Sequence, residues 1–279
     1  MILPILAVLG AMASFQSGAA VAKSLFPVLG PDGASGLRLL LAAIMLIALR
    51  RPWRRWPRRA PWLLLLGLGA AMAGTILAFY RALDHLPQGV TVALQFLGPL
   101  GIAIAQSRRP SDWAWVALAA LGVWCLVGIG GFGGRIDLVS VALALLAAAG
   151  WATYILLGRA ASVVLGGSTA VLSISIAALL TLPLCRGAIG PILASPGLIA
   201  SALLMGAFAS AIPSTLEFFA MPKMPARTFS IWMSLEPAVA ALSGLLFLSE
   251  RLSVLQMVGI AAVILAAAGA TWTSTRHTP

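Results

Sequence analysis

The stretch WLLLLGLGAAMAGTILAFYRAL, residues 62–83, has the length of a full bilayer crossing and a single charge, Arg81. A helix of about 20 such residues spans the roughly 30 Å hydrocarbon core and pairs its own backbone groups where no water can. Similar segments recur on both sides of it, separated by basic or Pro/Gly-rich breaks. Their approximate cores are 2–22, 34–49, 62–83, 88–105, 113–130, 138–158, 169–185, 198–221, 229–248 and 254–273. With 61% apolar residues, 9% charged residues and a mean hydropathy of +1.04, a water-soluble globule is excluded. The expected fold is all-α, a polytopic membrane protein of ten transmembrane helices joined by short loops.

The net charge of +11 is a statement about topology. With the N-terminus inside, the cytoplasmic segments carry Arg50, Arg51, Arg54, Arg55, Arg58, Arg59, Arg108, Arg109, Arg159, Lys223, Arg227 and Arg276, which is 12 of the 18 Lys and Arg residues. That bias predicts both termini in the cytoplasm. The run from Arg50 to Arg59, interleaved with Trp53 and Trp56, then lies at the lipid interface, so nucleic acid is not an expected partner. Ala11-Met12-Ala13 before Ser14 has the look of a signal-peptidase site, but no basic region precedes it and the apolar run continues to Val21. An uncleaved first span is the expectation.

Several motifs carry no chemistry. Gly128, Gly130 and Gly133 match G-x-G-x-x-G without the strand-turn-helix unit a dinucleotide needs, and read as a loop. Cys125 and Cys185 lack metal-type spacing and read as small buried hydrophobes. His85 and His277 form neither a metal cluster nor a catalytic dyad, so neither an enzyme nor a cofactor is expected.

The two halves resemble each other at an offset of 138 residues. Leu86-Pro87 corresponds to Met224-Pro225, Leu97 to Leu235, Pro99 to Pro237, and Phe79-Tyr80 to Glu217-Phe218. Residues 1–137 and 138–279 would each hold five spans, and an odd number inverts the second unit relative to the first. Two such inverted repeats can open one central site to either side in turn. Pro99 and Pro237 fall within spans, where the missing N–H frees the carbonyls of Gln95 and Met233. Broken helices presenting backbone to a substrate and simple packing kinks are both consistent with this. Pro213 does the same in span eight.

Ionisable groups inside a bilayer are costly, so the few present are informative. Glu236 falls near the midplane and is the leading candidate for a proton or a substrate ammonium; its structural alternative is a carboxylate paired with Arg38 or Lys23. Ser210, Pro213, Ser214 and Glu217 share a face of span eight, with hydroxyls able to take the carbonyl that Pro213 frees. Gln16 and Lys23 share a face of span one, and Gln88, Thr91, Gln95 and Pro99 a face of span four. Arg38 and Lys23 either snorkel or face a cavity. Gly150, Tyr154 and Gly158 make a small-residue groove with one phenol, suited to packing or to a pocket wall.

As a pattern, Met12-Ala-Ser-Phe-Gln-Ser-Gly18, Lys23-Ser-Leu-Phe-Pro27, Leu37-Arg38-Leu39, Val92-Ala-Leu-Gln-Phe-Leu-Gly-Pro99, Ser107-Arg-Arg-Pro110, Trp151-Ala-Thr-Tyr154 and Pro225-Ala-Arg-Thr-Phe229 leading to Met233-Ser-Leu-Glu-Pro237 resemble the threonine and homoserine exporters of the EamA-type branch of the drug/metabolite transporter superfamily. The similarity runs collinearly from about Met12 to Thr271. It implies ten spans in two inverted five-helix repeats, cytoplasmic termini, and proton-driven efflux of small amino acids across the bacterial inner membrane. By position it assigns Glu236 with Pro237 to the acidic-proline motif of span nine, Glu217 to the acid of span eight and Arg38 to the span-two arginine. Gln95 departs from the acid that relatives commonly carry there. The expected partners are lipid, a small amino-acid substrate and protons. The oligomeric state, a homodimer included, stays open. The competing readings are export of a drug or other metabolite, and a non-transporting membrane scaffold.

Overall fold

The computed structural model describes residues 2–50, 61–105, 113–127, 137–165, 168–220, 223 and 232–274. Five helical stretches among them are long and apolar enough to cross a membrane: Ile2–Leu49, Trp62–His85, Leu138–Leu165, Ser168–Leu193 and Pro196–Glu217. Shorter apolar helices cover Gln88–Ile102, Trp113–Leu126, Glu236–Leu248 and Val254–Gly269. Leu63, Val163 and Ile2 stand 88%, 86% and 75% exposed on the outside of the bundle, an arrangement that only lipid makes favourable. The chain is an all-α polytopic membrane protein with several apolar spans.

Helix α1, Ile2–Arg50, corrects the expected loop between the first two crossings. The helix runs on either side of one bend at Gly30, whose φ of 65° and ψ of 162° suit glycine. Leu25, Phe26 and Leu29 are buried and hold the preceding turn in place, and Pro31 follows the bend where a helix start tolerates proline. Next come α2 (Trp62–His85), α3 (Gln88–Gln95), α4 (Leu97–Ala105), α5 (Trp113–Val127) and α6 (Leu138–Leu165). Asp137 caps α6, its carboxylate accepting the backbone N–H groups of Val139 and Ser140 and the Ser140 hydroxyl. Those bonds, the Ser140 hydroxyl foremost, hold the Asp137 carboxyl below the usual range.

The second half contains α7 (Ser168–Thr181), a 3₁₀ turn (Leu182–Cys185), α8 (Arg186–Leu193), α9 (Pro196–Gly206), a π-helical turn (Ala207–Ala211), α10 (Ile212–Ala220), α11 (Glu236–Leu248) and α12 (Val254–Ser274). Helix α8 lies between the expected spans 169–185 and 198–221; its glycines and Pro191 hide it from a propensity argument, while buried Ala188 and Ile192 secure it. Cys125 and Cys185 are buried and free, as expected. The basic run 51–59, the segment 107–110, the glycines at 128, 130 and 133, the motif 225–231 and His277 lie outside the described residues.

Close approach depends on missing side chains. A Cβ on Gly89 would meet Ala241 of α11 at 2.7 Å, and one on Gly98 would overlap the carbonyl oxygen of Ala148 on α6. Residues 88–105 are thereby wedged between α6 and α11. Gly150 faces Thr75 of α2 and Gly158 faces Leu68, so the small-residue groove of α6 is a packing face. Gly98→Ala is expected to destabilise the protein by about 1–3 kcal/mol, because backbone cannot yield as a flexible side chain can. The melting temperature in detergent should fall, while Gly101→Ala, whose Cβ meets nothing within 4 Å, should leave it unchanged.

Candidate functional site

Two helix breaks organise the interior. Helix α3 ends at Gln95 and α4 begins at Leu97, with Phe96 as a turn; α11 begins at Glu236 directly after a turn at 234–235. Pro99 and Pro237 lie in the first turns following these breaks, where proline fits. The breaks fall at corresponding positions of the 138-residue offset.

Glu236 is the first residue of α11 and is only 6% exposed. Gln16 Nε2 donates to Glu236 Oε1 at 3.1 Å. Gln88 Nε2 in turn donates to both the carbonyl and the Oε1 of Gln16 at 2.8 Å, and the Ser243 hydroxyl donates to the Gln16 carbonyl at 3.0 Å. Gln16 and Gln88 are wholly buried. Two acceptors in this cluster, Glu236 Oε2 and Gln88 Oε1, have no partner among the described residues. The cluster therefore has more acceptors than donors, the complement of a proton or an ammonium group.

Arg38 and Lys23 do not pair with Glu236, contrary to the structural alternative weighed above, and Arg38 does not snorkel. It is 3% exposed, its guanidinium stacked over Phe15 at 4.9 Å and Tyr80 at 5.3 Å. Nε donates to the Ser210 hydroxyl at 2.9 Å, Nη1 to the Tyr80 hydroxyl at 3.1 Å and Nη2 to the Ala209 carbonyl at 2.7 Å. The Ala209 carbonyl is the one Pro213 leaves without a helical donor. In place of the expected nearby hydroxyl, a guanidinium on another span reaches it. The π-helical turn diverts the Ile212 N–H to the Ala207 carbonyl, and the Ser14 hydroxyl takes the Phe208 carbonyl at 2.9 Å. Gly18 permits this approach, since a Cβ there would overlap the backbone of Ala209.

Lys23 pairs with Glu250 at 2.7 Å. Glu217 and Tyr154 are half-buried, and Glu217 lies within electrostatic range of both Tyr154 and Glu236. Gln95, on the last turn of α3, is buried. The structure thus brings Glu236, Gln16 and Gln88 into one network and sets Arg38, Tyr80 and Ser210 in a second. Glu250, Ser243, Phe15 and Tyr80 were missed as participants. Glu250 follows the apolar run of α11 and looks in sequence like an ordinary loop acid. Its one signal is Gly244, six residues earlier, a gap that an acid could cover.

Residues 138–272 match the EamA-like transporter family. The chain is 42% identical over 271 residues to the threonine/homoserine exporter RhtA of Escherichia coli (strain K12), covering 97% of this chain and 92% of that protein. The identity is also 42% over 275 residues to the threonine/homoserine exporter RhtA of Salmonella typhimurium (strain SL1344), covering 99% and 93%. A crystal structure 21% identical in sequence aligns with a TM-score of 0.64 over 99% of both chains, a likeness of fold alone. Similarity of this extent shows that the chain belongs to the EamA-type branch of the drug/metabolite transporter superfamily, a family of transporters and not of enzymes.

Proposed function

We propose that this chain exports small amino acids of the threonine and homoserine kind across the bacterial inner membrane by alternating access, driven by protons. The observation that carries the reading is Glu236, a buried carboxylate at a helix break with one oxygen held by Gln16 and the other without a partner among the described residues. Such a group can hold a proton or a substrate ammonium, and exchanging one for the other couples the two fluxes. Glu217 and Tyr154 form a second polar station within its electrostatic range. Arg38 has Nε, Nη1 and Nη2 all engaged, and its role in this reading is to hold spans one, two and eight in register.

The fold proposed with this function has ten spans in two inverted repeats, 1–137 and 138–279. The matching helix breaks and the prolines at 99 and 237 support the repeat, as does a family match beginning at residue 138. Both termini are cytoplasmic in this reading, so a reporter that works only in the cytoplasm should be active at the C-terminus.

Cells expressing the chain and loaded with a threonine-containing dipeptide are expected to release threonine faster than empty-vector cells. A protonophore should abolish the difference. Release equal to the vector control, with the protein in the membrane, would reject amino-acid export and direct attention to Gln95.

A further inference from the structure

One carboxylate joins three separate parts of the chain. Glu250 Oε1 accepts Lys23 Nζ at 2.7 Å, and Glu250 Oε2 accepts the backbone N–H of Gln88 at 2.7 Å. Lys23 also donates to the Leu86 carbonyl at 2.8 Å. The first half of α1, the start of α3 and the turn after α11 are thus closed on one another. Pro87, preceding α3, offers no side-chain cap, so Glu250 supplies from the turn after α11 the anion that a helix N-terminus favours.

The turn is shaped to present this side chain. Ser249 is left-handed at φ 55°, and the Glu250 N–H returns to the Gly244 carbonyl at 3.0 Å. The Glu250 carboxylate lies over Gly244, and a Cβ there would displace it from this position. Hydrogen bonds then continue inward. Gln88, held through its backbone by Glu250, uses its side chain to hold Gln16, and Gln16 holds Glu236.

We propose that Glu250 is a latch closing the transport path on the Lys23 side, and that it positions Glu236 through Gln88 and Gln16. Opening on that side separates α3 from α11, and Gln88 moves with α3. Gln16 then loses its anchor, and Glu236 is freed at the moment the path opens toward it. The closed latch and Glu236 held by Gln16 are one state of the molecule, which gives the coupling a physical link. This inference rests on the alternating-access reading but not on the identity of the substrate.

The test is accessibility. Thr91 is buried on α3, one turn further in than Gln88. In a background with Cys125→Ala and Cys185→Ala, Thr91→Cys is labelled with a membrane-impermeant maleimide in right-side-out and inside-out vesicles. Glu250→Gln keeps an acceptor for the Gln88 N–H and removes the charge; Lys23→Gln breaks the same pair without touching the α3 cap. Each is expected to speed labelling from the Lys23 side about tenfold, the population shift that loss of one partly buried charge-assisted contact brings. Asp32→Asn breaks the exposed Arg81–Asp32 pair and should change nothing.

Labelling at the parental rate in both latch variants, or faster labelling only from the opposite side, overturns the proposal. Two variants that disturb different neighbours keep the result from depending on the folding of either. Faster labelling without amino-acid efflux would uphold the latch while rejecting the substrate class.

Discussion

Glu236→Gln should reduce export by about a hundredfold while leaving the amount of protein in the membrane unchanged. The amide oxygen can still accept from Gln16 Nε2, so the local network survives. What is lost is the charge. A charge-assisted bond to an ammonium contributes about 1.5–3 kcal/mol, and each 1.4 kcal/mol is about tenfold. Stability should stay level or rise, since a buried carboxylate with one oxygen lacking a partner among the described residues is replaced by a neutral group. The measurement is threonine efflux at matched expression, with a melting curve of the purified variant beside it. Parental efflux that keeps its sensitivity to a protonophore would remove Glu236 from the mechanism.

Arg38→Met is expected to act on the fold instead, destabilising it by about 3 kcal/mol or more. Removing the guanidinium leaves the Ala209 carbonyl, the Ser210 hydroxyl and the Tyr80 hydroxyl without it, and each unsatisfied buried polar group costs about 1–3 kcal/mol. Arg38→Lys should recover little, since a single ammonium lacks the spread of a planar fork. The cause can be isolated by a cycle with Pro213→Ala, which restores an N–H able to serve Ala209. If the orphaned carbonyl dominates, the double variant will be more stable than the sum of the singles predicts. Strict additivity in thermal melts would show that the cost lies with Tyr80 and Ser210.

The spans were legible in the sequence because lipid imposes one requirement everywhere: an apolar run long enough to pair its own backbone. Residues 62–83 and 138–158 needed nothing more. Glu236 was legible for the converse reason, as a charge inside such a run. The partners of Lys23 and Arg38 were not, because Glu250 in the turn after α11 and Ala209 with Ser210 in the π-helical turn are 227 and about 170 residues away in sequence. Periodicity orders residues along one helix and says nothing about which helix faces it. The π-helical turn was hidden for a related reason. Pro213 marks a missing donor, but whether a local hydroxyl or a distant guanidinium answers depends on how closely span one approaches span eight, which the absence of a side chain at Gly18 allows.

The bend at Gly30 has a consequence for how the membrane face of the protein meets its surroundings. Because helix resumes on both sides of one residue, the two halves of α1 are joined with almost no intervening chain. An added protease should find nothing to cut between them, and an epitope tag inserted there would have to break a helix rather than extend a loop. During synthesis the pair should enter the bilayer together, as a single inserting unit.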